Sequence, residues 1–72
     1  MNGRFTEVDG MRLKQLRRGQ ALSLRELGDR AEIAYDTINR LELGKQQAQP
    51  RTIRKLANAL GVEPRKLMKG EE

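Results

Sequence analysis

Between Tyr35 and Glu42 the chain reads YDTINRLE, and its polar residues are of an unusual kind. Taken as a helix, the stretch buries Ile38 and Leu41, one turn apart, and turns Asp36, Thr37, Asn39 and Arg40 away from the core. Tyr35 stands at the mouth of that helix. Solvated helix faces are usually built of Lys and Glu, which favour the helix and cost little in water. Asp36 precedes Arg40 by one helical turn, the spacing of an ion pair along a face. In a first turn, Asp36 also favours the helix dipole by roughly 0.3–1 kcal/mol. A face of this kind is equipped to hydrogen-bond with a partner.

Catalysis is not what these residues offer. The 72-residue chain has no His and no Cys, and no carboxylates cluster at metal-ligand spacing. A thiol nucleophile, a zinc knuckle and a disulfide framework are excluded with cysteine. The expectation is a non-enzymatic protein without cofactor, metal or small-molecule ligand. Charge is more informative. Fifteen Lys and Arg oppose ten Asp and Glu, a net of +5, and Glu7, Asp9, Glu71 and Glu72 lie near the ends. From Gly10 to Lys69 fourteen bases face six acids, a net of +8. A small body that basic suits a polyanion, and the plainer alternative is a soluble surface. RNA fits less well than duplex DNA, because one Phe, one Tyr and no Trp provide no stacking platform. No run approaches the roughly 18 apolar residues of a membrane span, and no apolar signal core follows the start. A reducing cytoplasm and no membrane partner are expected.

The elements that position the face are short. Residues 1–9 have no helical period and read as an arm, with Phe5 and Val8 placed to tack it to the body. Met11, Leu13, Leu16 and Arg17 share one side of a helix over 10–18 that Gly19 ends. Ser23 and Glu26 form the capping box of a second helix, continued by Leu24, Leu27 and Ala31. A three-residue break, EIA, leads into the third helix over 35–43, and Gly44 is its left-handed cap. A loop, GKQQAQ, runs to Pro50. The fourth helix, 51–60, buries Ile53, Leu56, Ala57 and Leu60, and Gly61 stops it with Val62 folding back. Glu63-Pro64 starts a last turn carrying Leu67 and Met68, before a tail at 70–72. The result is an all-α domain over 10–69 with five short helices and an aliphatic core. Leu60, Val62, Leu67 and Met68 are candidates for a dimer surface and equally for core.

Two short helices joined by a three-residue turn, the second with a polar outer face, form the pattern of a helix-turn-helix. From Leu16 to Met68 the chain resembles the lambda-repressor-like (Cro/cI or Xre) helix-turn-helix domains. The resemblance rests on Leu22-Ser23, Glu26-Leu27, Ile33, Ile38, Glu42, Gly44-Lys45, Pro50 and the ending LANALGV from Leu56 to Val62, all in one register. It implies a DNA-binding regulator of bacterial or phage origin, a repressor working as a dimer, with the third helix in the major groove. Tyr35, Asp36, Thr37, Asn39 and Arg40 are then the residues facing bases. Arg pairs with guanine and Asn with adenine through two hydrogen bonds each, and a Thr methyl touches the thymine methyl. Tyr35 reaches a phosphate or a sugar. Asp36 either accepts from cytosine N4 or aims Arg40 and caps the helix dipole. Arg40 has the alternative of solvation or of binding a phosphate, and Asn39 that of plain solvation.

The same resemblance places Ser23, Leu24, Arg25, Lys45, Gln46, Gln47 and Arg51 against the DNA backbone, and pairs Arg17 with Glu42 inside the fold. Leu24 stands where relatives often have Gln and cannot hydrogen-bond through its side chain. Gly28 replaces a small Ala, which allows the third helix to come close. Glu32 occupies a turn position usually held by Gly, and Ala34 replaces a Ser or Thr cap, typically worth ~1 kcal/mol. The competing expectation is a protein-interaction module, such as an antitoxin or adaptor, that uses the same face.

Overall fold

Local signals set most of the helix ends. In the computed structural model, which describes residues 6–70, α1 spans Gly10–Gly19, α2 Leu24–Ala31, α3 Tyr35–Glu42 and α4 Pro50–Leu60. The carboxylate of Asp9 caps α1 by accepting from the Arg12 amide at 3.1 Å. Ser23 and Glu26 cap α2 reciprocally, at 3.0 and 2.8 Å. Ala34 gives α3 no side-chain cap. Behind α3 and α4, Gly44 and Gly61 take left-handed φ values of 75° and 72°. The amides of Lys45 and Val62 then reach back to the carbonyls of Arg40 and Ala57 at 2.9 and 3.0 Å.

The all-α class stands, with one correction to the five short helices. The last element is a 3-10 helix of four residues, Pro64–Leu67, entered and left by extended backbone at Glu63 and Met68. So short a piece closes i→i+3 bonds and does not develop an α ladder. Among the described residues two left-handed ones are not glycine: Ala21 at φ 58° and Glu32 at φ 60°. Gly19 ends α1, yet the turn behind it falls on Ala21.

Leu13, Leu27, Ile38, Leu41, Ile53, Leu56 and Leu67 are sealed in a core that contains no buried polar residue among those described. Leu16 packs against it only in part, and Met11 is 69% exposed. Met11 therefore does not share the buried side of α1 with Leu13. Leu60 and Leu67 belong to the core, while Val62 and Met68 pack against its edge. Gln20 ties the end of α1 to the end of α4, its side-chain amide donating to the Leu60 carbonyl at 2.7 Å.

Residues 6–9 are joined to the body on both sides. Thr6 exchanges two hydrogen bonds with Ala48, at 2.6 and 3.2 Å, while Asp9 and Glu7 bond to Leu67 and Lys69 at 2.8 and 3.0 Å. Val8 is buried between them. Phe5 lies outside the described residues.

Candidate nucleic-acid interface

The angle between α2 and α3 is set at Gly28, which has no side chain to hold the turn away. A Cβ there would lie 2.7 Å from the Ile33 carbonyl and 3.3 Å from the Tyr35 amide. The Ile33 amide donates to the Gly28 carbonyl at 3.0 Å. Glu32 completes the turn in the left-handed conformation that glycine would adopt at no steric cost. With Ile38 and Leu41 fully buried, the opposite side of α3 is committed to the outside.

On that side Arg40 donates to the Asp36 carboxylate at 2.9 Å, and both side chains remain more than half exposed, 51% and 62%. The pair runs along the helix, from Asp36 in its first turn to Arg40 in its last. Thr37 and Asn39 are half-buried, at the margins of the face. Tyr35 is 46% exposed at its head. The Arg25 guanidinium lies over the Tyr35 ring, its central carbon 4.8 Å from the ring centroid. Nothing in the spacing of the two residues announces this stack, and the sequence gives them separate roles.

Ser23, Leu24 and Arg25 reach the front of α2 by different routes. The Ser23 hydroxyl accepts the Glu26 amide, so it is already engaged within the helix. Glu26 accepts the Ser23 amide in return, and this bond, with that to the Ser23 side chain, holds its carboxyl below the ordinary glutamate range. Leu24 turns inward and packs against the core. Arg25 is exposed.

Arg17 and Glu42 meet behind α3. Two parallel bonds join them, Nε to Oε2 at 2.7 Å and Nη2 to Oε1 at 3.0 Å, and Nη1 donates to the Leu22 carbonyl at 2.8 Å. Their side chains are only 11% and 4% exposed. The hydrogen bond to Glu42 raises the Arg17 pKa, against the opposing effect of burial. Close by, Gly10 packs its bare Cα on the carbonyls of Leu41 and Glu42, and a Cβ would fall 2.6 Å from the latter.

Lys45, Gln46, Gln47 and Arg51 are all exposed, the first three in the loop behind α3 and Arg51 in the first turn of α4. Lys45, Gln46 and Gln47 line an open groove with Gly44, Glu7, Val8 and Lys69. Among the described residues no group of three or more His, Cys, Asp or Glu is placed to hold a metal ion. No helix among them is long and apolar enough to cross a membrane.

A helix-turn-helix of this form defines a class, and the family comparison agrees with it. A family model described as a helix-turn-helix domain matches residues 10–68. The chain belongs to that family, in its lambda-repressor-like form. It is similar to the restriction-modification controller protein C.AhdI from Aeromonas hydrophila, at 33% identity and a TM-score of 0.77 over 79% of this chain and 86% of that one. It is also similar to SinR, a master regulator for biofilm formation solved in complex with DNA, at 28% identity and a TM-score of 0.75 over 78% and 90% of the two chains. A SinR–SinI protein complex aligns at 26% identity and a TM-score of 0.80, over 88% of this chain and 62% of that one. No curated protein matches the sequence.

Proposed function

We propose that this protein is a sequence-specific, double-stranded DNA-binding transcriptional regulator that represses by occupancy in the cytoplasm. The observation that carries the reading is the outer face of α3, where the bonded Asp36–Arg40 pair projects a guanidinium from a helix anchored behind by Ile38, Leu41 and Glu42. Placed in the major groove, α3 directs Arg40 to a guanine edge, with Thr37 and Asn39 at the margins of the contact. Ser23, Arg25, Lys45, Gln46, Gln47 and Arg51 flank that face as backbone contacts. Leu24 contributes through its backbone alone, because its half-buried side chain is apolar and packs against the core.

The unit over 10–69 acts as a homodimer on two half-sites about 34 Å apart. Leu60 and Leu67 are unavailable for pairing the copies, being core residues, which leaves Val62 and Met68 of the four apolar candidates. Likeness to a regulator solved with DNA supports this reading. Likeness to the SinR–SinI complex favours, as a second reading, a module that docks protein.

Selection of bound sequences from a random duplex pool separates the two. The DNA reading expects a palindromic consensus and an affinity that falls steeply with salt, because phosphate contacts release counterions. No enrichment, together with salt-independent association, would favour the protein-docking module.

A further inference from the structure

Tyr35 opens α3 and Arg25 is the second residue of α2, so the turn between the helices brings together two side chains far apart in sequence. The guanidinium carbon sits 4.8 Å from the ring centroid, within range of a cation–π contact. Arg25 makes no ion pair among the described residues. Its neighbour Glu26 is engaged with Ser23. The restraint on this arginine is therefore a ring and not a carboxylate. A ring covers one face of the guanidinium and leaves the N–H edge, and the whole positive charge, open to an anion. Arg40 is held differently, because Asp36 takes part of its donor edge and offsets its charge.

We propose that Tyr35 is a positioning residue for Arg25, and that the stacked guanidinium presents its free edge to a backbone phosphate beside the groove segment that α3 enters. The proposal rests on the DNA reading above and gives Tyr35 a task other than base contact. The first two residues of α3 then restrain two arginines for two purposes. Asp36 holds the one that reads a base, and Tyr35 holds the one that grips the strand.

Two measurements on the full chain test it, using wild type, Tyr35→Phe, Tyr35→Leu, Arg25→Ala and the Tyr35→Leu/Arg25→Ala double variant. Without DNA, the side-chain proton resonances of Arg25 should be displaced upfield by the ring in wild type and Tyr35→Phe, and return to ordinary positions in Tyr35→Leu. With duplex DNA across a salt series, Tyr35→Leu and Arg25→Ala should each weaken binding severalfold to about tenfold. Both should lower the slope of log affinity against log salt by up to about one. Tyr35→Phe should stay within about twofold of wild type, and the double variant should be no weaker than Arg25→Ala. A loss in Tyr35→Phe equal to that in Tyr35→Leu overturns the proposal, because the hydroxyl would then be the contact. Additive losses in the double variant overturn it as well. Undisplaced Arg25 resonances alongside normal DNA binding overturn the stack alone, whereas salt-independent binding by wild type overturns the DNA reading itself and the phosphate contact with it.

Discussion

Arg17 and Glu42 form a bidentate pair that closes α1 onto the end of α3 and, through the Leu22 carbonyl, onto the entry to α2. Three segments therefore share one guanidinium. Both side chains are nearly withdrawn from water, so removing one partner strands the other's charge. Glu42→Ala should cost about 3–5 kcal/mol, a large share of a small domain's stability. Replacing both by apolar residues, as in Arg17→Met/Glu42→Leu, should recover most of that loss. A double-mutant cycle on urea unfolding checks the coupling, and additive losses would show the two residues to act independently.

Arg40→Ala should cost about 1–3 kcal/mol on the preferred duplex and flatten preference at one base pair, with a much smaller effect on random DNA. Asp36→Ala should keep the preferred base and slightly raise affinity for random DNA, since a carboxylate that repels phosphate is gone. If Asp36 instead accepts from cytosine N4, binding-site selection will show its variant losing information at a different position from Arg40→Ala.

Lys45 and Arg51 are exposed, one in the loop that follows α3 and the other in the first turn of α4. Alanine at either should weaken binding to all duplexes about equally and lower the salt slope by about one. Loss of preference at an A·T-rich step in Arg51→Ala would show instead that Arg51 enters the minor groove.

Glu32 holds a left-handed conformation, φ 60° and ψ 45°, that costs a side-chain-bearing residue roughly 1–2 kcal/mol. Glycine removes that cost and adds chain entropy to the unfolded state. Glu32→Gly should gain about 1 kcal/mol net, raising the melting temperature by about 4–8 °C. A melting temperature that stays level or falls would show the Glu32 side chain compensating for the backbone.

Glu26 supplies an acid limb to the stability curve. Its carboxyl is held low by the bond it accepts from the Ser23 amide, so the folded state binds that proton less readily than the unfolded chain. The stabilisation is complete above the ordinary glutamate range and is lost as pH falls through the lower folded value. Glu26→Gln keeps an acceptor for the Ser23 amide without a titrating group. Urea unfolding at descending pH should show a shallower acid decline in this variant than in wild type.

Features written in a few neighbouring residues were legible in the sequence. The Ser23–Glu26 box, the caps at Gly44 and Gly61 and the buried Ile38 and Leu41 follow from local rules of backbone and period. The Asp36–Arg40 pair follows from helical spacing. What escaped depends on how segments meet. The Arg25–Tyr35 stack exists because Gly28 admits the turn closely, and the Gln20 bond to Leu60 joins the ends of two helices. Arg17 and Glu42 were joined only by family resemblance, since nothing in their spacing links them. Met11 missed the core because it stands two residues before the buried Leu13, about 200° around α1 and so on its other side.

The paired bonds of residues 6–9 bear on the order of folding. Helices meeting across short turns make local contacts, which form quickly because little chain must be closed into a loop. Beyond the Asp9 cap of α1, residues 6–9 bond only to segments distant in sequence. Their partners, Ala48 on one side and Leu67 and Lys69 on the other, adjoin different helices. Both must be in place before these residues can bond on both sides. Full docking of the segment should therefore follow the packing of those helices. Its amides should exchange with solvent through a local opening, well before the helical core opens as a whole.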